Sequence, residues 1–311
     1  MIGPFCIVVN PAAGRGRSLR ALPAVTAALD AADATYHVSQ SASMDEARQL
    51  AGRAAQLGHV VVAVGGDGTA GVLAGVVAST AGRYAIIPAG RGNDLARVLG
   101  IPADPAAAAA VLLHGQLRKI DLIGVTAPGY PEIMVAGSVY AGVPSVAGQL
   151  ANQARWLPGP LLYPVAALRA LARWAPATFL TEITGPEGGP PGGARRQVRG
   201  YAIVVANAAY FGAGMQVAPG ASIDDGMLDI VIMRDGPKLA FVRALARIRG
   251  GGHLALPQVS LEHGTEVMLS VDRDLPAAAD GDTLPCADPL PAGAPLRLRA
   301  LPGALSVVTP R

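Results

Sequence analysis

Short apolar runs alternate with helical segments along the first part of the chain. The apolar runs are rich in Val and Ile and predict strands at Phe5 to Val9, Ala34 to Val38, His59 to Val64, Tyr84 to Ile87 and Leu117 to Val125. The segments between them predict helices at Ser18 to Ala31, Ser43 to Leu57, Gly68 to Val77, Asn93 to Gly100 and Pro105 to His114. Repeated β-α units of this length predict a parallel sheet with helices on both faces.

After Gly129 the pattern changes to strand-like runs separated by turns. These runs lie at Ile133 to Val139, Phe179 to Thr184, Val198 to Ala206, Leu228 to Met233, Glu266 to Val271 and Leu296 to Ala300. Two helical segments interrupt them, at Leu161 to Trp174 and Leu239 to Ile248, and Gly185 to Gly193 is typical of a surface turn. The pattern predicts an α/β domain over residues 1–128, followed by a second domain of mostly antiparallel strands.

The composition excludes several classes of protein. Hydrophobic residues make up 51% of the 311 residues, which is enough apolar surface for two cored domains and excludes a disordered chain. Only Lys119 and Lys238 among the 25 basic residues are lysine, and neither follows a glycine, so a P-loop is excluded. A net charge of +3 is too small to indicate nucleic-acid binding. Cys6 and Cys286 form neither a metal motif nor a disulfide framework.

Two long uncharged stretches raise the question of membrane spans. Residues 133–154 and 200–223 both contain polar residues and glycines, so neither supplies the roughly 20 continuous apolar residues of a span. The N-terminus carries no signal-peptide pattern, and a cytoplasmic protein is expected. The two helical segments of the second domain carry arginines at helical spacing. Such helices either lie on an anionic bilayer or pack their apolar face on their own core.

Three loops after predicted parallel strands carry candidate chemistry. They are residues 10–16 (NPAAGRG), 65–69 (GGDGT) and 88–94 (PAGRGND). Ligands of open α/β sheets bind at the carboxyl ends of the strands, and small residues let backbone N–H groups approach an anion there. Taken singly, each loop is also compatible with a tight turn, in which Asp67 or Asn93 caps the following helix.

Motifs in a fixed order extend these loops over nearly the whole chain. They comprise Asn10-Pro11 with Gly14, GGDGT at 65–69, Pro88 to Gly90 with NDLAR at 93–97, IDL at 120–122, ASIDDGMLD at 221–229, DGD at 280–282, and PGAL at 302–305 with Pro310. This ordered set resembles the catalytic domain of the diacylglycerol, sphingosine and ceramide lipid kinases. Gly142 and the region 151–163 are most similar to actinobacterial diacylglycerol kinase-like proteins. GGDGT alone is shared with NAD kinases and phosphofructokinases.

The resemblance implies an architecture. It implies an α/β nucleotide-binding domain with an NAD kinase-like parallel sheet, and a β-rich second domain that takes the lipid substrate, with the active site between the two. It also implies that the last strand returns to the first domain. The expected domains are therefore residues 1–128 with about 301–311, and residues 129–300.

The resemblance also implies cofactors and site residues. ATP and Mg²⁺ are the expected cofactors, and the ATP contacts fall on Asn10, Pro11, Ala12, Ala13, Gly14, Ser41, the segment from Gly66, Asp67, Gly68 and Thr69 to Val72, Arg91 and Asn93. A structural Mg²⁺ would be held by Ser222, Asp225 and the carbonyl of Met227, which are hard oxygen ligands. The same residues 224–226 are also typical of a hairpin turn. Asp282 is the expected proton acceptor, with Asp280 and Asp67 as the other catalytic carboxylates.

Several positions depart from the family pattern. Arg91 replaces a usual Thr, Gly71-Val72 replaces Asn-Glu, Gly142-Val143-Pro144 replaces Gly-Phe-Asp, and Asp282 replaces Glu. The expected function is an ATP-dependent, Mg²⁺-dependent lipid kinase that phosphorylates the hydroxyl of diacylglycerol or a related lipid, reached transiently at the inner face of a membrane. A catalytically weak nucleotide- or lipid-binding homologue and another small-molecule kinase, such as NAD kinase, remain alternatives. No nucleic-acid partner is expected, and a homodimer is left open.

Overall fold

The computed structural model describes residues 2–11, 16–153, 159–185, 194–284 and 286–311. The chain divides into two compact units. Unit 1 comprises Met1–Leu122 with Pro302–Arg311, and unit 2 comprises Ile123–Leu301. The division falls inside a strand, a few residues before the predicted boundary at residue 128, because that strand continues from one unit into the other.

Unit 1 alternates strands and helices. Its elements are β1 (Phe5–Val9), α1 (Arg17–Ala31), β2 (Tyr36–Gln40), α2 (Met44–Gln56), β3 (Val60–Gly65), α3 (Asp67–Ala78), β4 (Arg83–Pro88), α4 (Asp94–Val98), α5 (Pro105–His114) and β5 (Gln116–Thr126). The strands pair in the order β2-β1-β3-β4, and every one of these pairings is parallel. The predicted parallel sheet is confirmed.

Burial explains why these strands could be predicted. Every residue of β1 and β3 is buried, which is typical of parallel strands covered on both faces. β2 lies at the edge, is only half-buried, and begins two residues later than predicted. The reason is the end of α1, where the N–H of Ala34 donates to the carbonyl of Leu29 at 3.0 Å and so belongs to the helix terminus.

Local capping places the helices as the sequence predicts. The N–H of Glu46 donates to Oγ of Ser43 at 3.1 Å, and Oε2 of Glu46 accepts from the N–H of Ala42 at 2.7 Å. Ser43 therefore caps α2, and Glu46 reaches back to the residue before the cap, which is one position earlier than in the usual capping box. Asp104 caps α5 in the same way, through the N–H of Ala107 at 2.9 Å.

Unit 2 is dominated by antiparallel strands. Its elements are β6 (Ile133–Val135), β7 (Ser138–Gly142), α6 (Val143–Gln153), α7 (Gly159–Arg173), β8 (Ala177–Thr184), β9 (Ala194–Ala206), β10 (Tyr210–Phe211), β11 (Met215–Gln216), β12 (Leu228–Arg234), α8 (Lys238–Arg247), β13 (Val259–Gly264), β14 (Glu266–Val271), β15 (Ala277–Ala279), β16 (Asp282–Thr283) and β17 (Leu296–Thr309). β9 pairs antiparallel with β7, β8 and β12. β17 pairs with β14 and then, in parallel, with β4 of unit 1. The predicted antiparallel domain and returning last strand are confirmed.

Unit 2 differs from the sequence prediction in several places, and among them the strand β13 was not predicted. The single strand predicted over residues 133–139 is two strands, because the turn at 136–138 bends the chain between β6 and β7. Helix α6 was not predicted, although Val143, Ala147 and Ala151 are buried at helical spacing. The short strands β10, β15 and β16 span only two or three residues and carry no periodicity. Of the predicted turn at 185–193, residues 186–193 lie outside the described residues.

The arginine-bearing helices pack on their own core. Ala167, Ala170 and Leu171 of α7 join Phe241 of α8 in one buried apolar cluster. The arginines of both helices lie on the exposed side. Within the described residues, no helix is both long and apolar enough to cross a membrane.

Candidate active site

The predicted nucleotide residues of unit 1 lie along one edge of its sheet. Because β1 to β4 are parallel neighbours, the residues that follow them share the carboxyl edge. Ser41 follows β2, is buried, and its N–H donates to the carbonyl of Val9 at 3.0 Å. The described residues at this edge are Asn10, Pro11, Ser41, Gly66, Asp67, Gly68, Thr69, Arg91 and Asn93. Ala12, Ala13 and Gly14 lie outside the described residues.

Asp67 ties two of these loops together. Its Oδ2 accepts from the N–H of Asn93 at 2.9 Å, and its Oδ1 accepts from the N–H of Asp94 at 2.5 Å. Burial raises the pKa of Asp67 above its usual range, while the two N–H groups and the charge of Arg97 act in the opposite direction. The carboxylate therefore caps α4, which is 26 residues away, and we call this pair of hydrogen bonds the Asp67 clamp.

Asn93 does not cap α4 with its side chain, which corrects the sequence prediction. It holds the position before the helix with φ of 52°, and no side-chain cap is formed. Its Oδ1 instead accepts from the N–H of Gly90 at 2.7 Å. Asn adopts the left-handed region more readily than most residues. Because Asp67 already accepts from the N–H groups at the start of α4, the Asn93 side chain bonds within its own loop, to Gly90.

Glycines allow the two clamped loops to touch. A Cβ on Gly66 would lie 3.0 Å from Cα of Gly90, and a Cβ on Gly90 would overlap Cα of Gly66 and lie 2.7 Å from Oδ1 of Asn93. A Cβ on Gly65 would lie 2.8 Å from Cβ of Thr69. Gly66 and Gly90 are therefore required by their contact with each other's backbone, and Gly65 by its contact with the side chain of Thr69.

Replacing Gly90 with alanine is expected to lower the free energy of unfolding by about 1–3 kcal/mol, the usual cost of overpacking. The new methyl group meets backbone, which cannot move aside cheaply. Urea unfolding measures the change, and Gly52→Ala is the matched control. A Cβ at Gly52 makes only an ordinary contact of 3.7 Å in the interior of α2, where alanine favours the helix. Equal unfolding midpoints for the two variants would contradict this account of the glycines.

The described part of this edge fits a phosphate. Gly66 precedes α3 without a side-chain cap, so the N–H groups of the first turn of α3 have no intrahelical acceptor. Such a helix start attracts anions. The nearest carboxylate, Asp67, is turned onto backbone N–H groups, and Arg91 is exposed on the neighbouring loop.

Asp280 in unit 2 is held by a group of backbone donors. Its carboxylate accepts from the N–H groups of Ala136 at 3.0 Å, Gly137 at 3.0 Å and Ser138 at 2.8 Å. The residue has φ of 48°, a conformation that Asp adopts more readily than most side chains. Asp280 therefore joins the 136–138 turn to the β15–β16 turn and acts as an anchor.

Asp282 has a different environment, although it lies on the same turn. It is exposed at the start of β16, opposite Ala279 of β15. The preceding Gly281 donates its N–H to the hydroxyl of Tyr140 at 3.1 Å. Burial raises the pKa of Tyr140, and the charges of Asp280 and Asp282 add to the effect. Of the two catalytic carboxylates predicted in unit 2, Asp282 is the exposed one.

Two supporting residues of this site were not predicted from the sequence. Tyr140 is buried and packs edge-on against Phe211, with ring centroids 4.5 Å apart. Asn207 is buried, and its Nδ2 donates to the carbonyl of Ala136 at 3.0 Å. A polar residue directly after the apolar run of β9 is the signal that could have indicated Asn207. The hydroxyl of Tyr140 gave no such signal, because Tyr is common in strands.

The predicted Mg²⁺ ligands lie together in the segment before β12. Ser222 Oγ donates to Oδ1 of Asp224 at 3.0 Å, and the N–H of Met227 donates to Oδ1 of Asp225 at 2.9 Å. The turn is not a hairpin, because β12 pairs with β9 and β13. Hydroxyl, carboxylate and carbonyl oxygens suit Mg²⁺. Asp225 is the single carboxylate of this set. The described residues contain no cluster of three or more His, Cys, Asp or Glu side chains that could hold a metal.

Unit 2 also contains an apolar cavity of about 70 Å³. Its lining includes Val143, Pro144, Ala167, Phe241 and His253. His253 is buried, its Nε2 lies 3.0 Å from the carbonyl of Val217, and burial lowers its pKa. Because a carbonyl oxygen only accepts, Nε2 is the donor in this contact. The cavity thus offers an almost entirely apolar surface, and Pro144 stands where the family pattern has an acid.

Comparison with protein families divides the chain much as its structure does. Residues 4–125 match the family model described as the diacylglycerol kinase catalytic domain. Residues 137–309 match the model described as the YegS C-terminal NAD kinase beta sandwich-like domain. The two models together account for both units and agree with the predicted fold class.

Individual relatives extend over most of the chain. A diacylglycerol kinase of Mycobacterium tuberculosis strain H37Rv is 30% identical over 313 aligned residues, which cover 100% of this chain and 96% of the relative. A diacylglycerol kinase of Bacillus subtilis is 24% identical, with 89% of this chain and 88% of the relative covered. A crystal structure of a diacylglycerol kinase from Bacillus anthracis superposes with a TM-score of 0.71 at 18% identity and covers 99% of this chain and 97% of that chain. At this identity the superposition confirms the fold.

Proposed function

Because the chain belongs to the diacylglycerol kinase family of lipid kinases, which are phosphotransferases, we propose that it transfers the γ-phosphate of ATP to the hydroxyl of diacylglycerol or a related lipid. The observation that carries the proposal is the Asp67 clamp. It joins two glycine loops at the carboxyl ends of adjacent parallel strands, which is where open α/β sheets bind nucleotides.

The nucleotide would be held without a P-loop lysine. Lys119 lies in β5 and Lys238 in α8, so neither belongs to a glycine loop. The phosphates are therefore left to the backbone N–H groups at the start of α3, to Arg91 and to the loop after β1. Mg²⁺, when bound, neutralises phosphate charge during transfer.

The carboxylates of unit 2 would handle the proton of the lipid hydroxyl. Asp282 is exposed and accepts that proton as the hydroxyl oxygen attacks the γ-phosphorus, while the bond from that phosphorus to the bridging oxygen breaks and ADP leaves. Asp280 keeps the turn in place through its three backbone donors and is a positioning residue. The hydroxyl of Tyr140 accepts from the N–H of Gly281 and so supports the same turn.

The apolar cavity supports a lipid acceptor over a polar one. Apart from His253, whose Nε2 contacts the carbonyl of Val217, aliphatic and aromatic side chains line it, and the side chain of Pro144 adds no hydrogen-bonding group. Burying an acyl chain against such a lining is favourable, because apolar surface leaves water. The hydroxyls and phosphates of NAD would instead lose their hydration there without gaining hydrogen bonds. A lipid therefore fits unit 2 better than NAD does.

A phosphotransfer assay with several acceptors tests the proposal. The purified protein is incubated with γ-labelled ATP and Mg²⁺, and the acceptors are diacylglycerol, ceramide or sphingosine in mixed micelles, NAD, and water alone. Label is expected in a lipid product, with none when EDTA removes Mg²⁺. Label in NAD would overturn the proposal in favour of an NAD kinase. Measurable ATP binding without transfer to any acceptor would overturn it in favour of a nucleotide-binding homologue.

A further inference from the structure

Helices α7 and α8 of unit 2 present a basic outer surface. Arg169 and Arg173 of α7 are exposed and lie one helical turn apart. Arg243 and Arg247 of α8 show the same spacing and are also exposed. In the described part of the chain, none of these four guanidinium groups forms an ion pair with a carboxylate.

The two helices lie side by side, so these arginines belong to one surface. The Nζ of Lys238, at the start of α8, donates to the carbonyl of Ala172 near the end of α7 at 2.8 Å. Both helices cover the same apolar cluster with their buried faces. Their exposed faces therefore point away from that cluster together.

Few acidic side chains lie near this charge along the sequence, and Asp235, which precedes α8, is already paired with Arg199 at 3.0 Å. The segments 133–181 and 236–261 contain neither Asp nor Glu, although the whole chain has 22 acidic residues. The chain carries a net charge of only +3, so the local excess does not reflect the average composition. A surface of one sign attracts a partner of the opposite sign.

Exposed leucines lie among the arginines. Leu239 of α8 is 57% exposed and Leu168 of α7 is 41% exposed. We define the arginine face as Leu168, Arg169, Arg173, Leu239, Arg243 and Arg247. The apolar cavity lies beneath these helices, because Ala167, Phe241 and Leu245 line it from their inner sides.

We propose that the arginine face docks unit 2 on an anionic lipid bilayer. Arginines that flank exposed leucines suit the boundary between phosphate headgroups and acyl chains, where both groups find partners. A second copy of the same face would be repelled by its like charge. A nucleic acid would satisfy the arginines but would leave the leucines in water. This docking rests on the proposed function, because its role would be to bring a lipid kinase to a substrate that lies in the membrane.

Vesicle sedimentation without nucleotide tests the docking. The native protein is expected to sediment with vesicles of phosphatidylcholine that contain about one-third phosphatidylglycerol, and less so with phosphatidylcholine alone or at high salt. Each arginine near an anionic surface contributes about fivefold to partitioning. The quadruple variant replaces all four arginines with glutamine (Arg169→Gln, Arg173→Gln, Arg243→Gln and Arg247→Gln). Its partition coefficient onto the anionic vesicles is therefore expected to fall on the order of 100-fold or more.

A matched control separates the arginine face from net charge. It removes the same number of charges from exposed positions of unit 1, at Arg20, Arg53, Lys119 and Arg311, each replaced by Gln. The control is expected to bind anionic vesicles nearly as the native protein does, and thermal unfolding checks that both variants fold. The proposal would be overturned if both variants lost vesicle binding equally. It would also be overturned if the native protein did not sediment with anionic vesicles. Tighter salt-sensitive binding to duplex DNA than to vesicles would overturn it as well.

Phosphotransfer to a water-soluble short-chain diacylglycerol separates this proposal from the proposed function. Native protein that phosphorylates the soluble lipid but does not bind vesicles would overturn only the docking surface. Native protein that binds anionic vesicles but transfers no phosphate would overturn only the proposed function.

Discussion

Replacing Asp282 with asparagine is expected to lower kcat for phosphotransfer by about 10²–10⁴-fold, the usual contribution of a general base. The amide keeps the shape of the side chain but cannot take the proton of the lipid hydroxyl. Asp282 is exposed at the start of β16, so the free energy of unfolding should change by no more than about 0.5 kcal/mol. Steady-state kinetics with a soluble diacylglycerol and urea unfolding measure the two quantities.

Asp282→Glu is the matched control for that loss. The glutamate keeps a carboxylate, and the resemblance to lipid kinases gives Glu as the usual residue at this position. Substantial activity is therefore expected in Asp282→Glu and not in Asp282→Asn. If Asp282→Asn kept the native kcat, the proton acceptor would have to be another group.

Replacing Asp280 with asparagine is expected to lower the free energy of unfolding by about 3 kcal/mol. The native carboxylate accepts from the N–H groups of Ala136, Gly137 and Ser138. An amide offers one acceptor oxygen and turns its NH₂ group toward donors, so at least one buried N–H loses its partner. Urea unfolding measures the loss, and phosphotransfer should fall with it because the turn that carries Asp282 is no longer held.

The substitution Asp282→Asn is the comparison for Asp280→Asn. The two changes are chemically identical and lie on the same turn, yet only Asp280 is expected to affect unfolding strongly. The variant Asp280→Gly removes the carboxylate while accommodating the positive φ, and it should be destabilised as well. Native unfolding midpoints in both Asp280 variants would show that the anchor does not stabilise unit 2.

Much of the parallel half of the fold could be predicted from local patterns. The strands β1 and β3 are apolar throughout because both faces are covered, and such runs are visible without any knowledge of neighbours. The cap that Ser43 forms on α2 through Glu46 was also visible, because both partners lie within one turn. Predictions were less accurate where an element is short or polar, as at the edge strand β2, whose predicted bounds lie two residues early.

The interactions of the candidate site were less predictable. Asn93 and Asp67 both suggested helix caps, but the sequence could not show that Asp67 caps the helix after Asn93. The turn at 136–138 was predicted as continuous strand, because its anchor, Asp280, lies more than 140 residues later. Partners so far apart leave no local signal.

By itself the sequence determined the α/β and antiparallel halves, the absence of a P-loop lysine, and the motifs that place the chain among lipid kinases. These features depend on which residues stand near each other along the chain. Only the tertiary structure decided that Gly66 and Gly90 touch, that Asp280 anchors while Asp282 is exposed, and that the arginines of α7 and α8 share one surface. Each of these depends on packing between segments distant in sequence, where burial and close approach assign a different role to the same residue type.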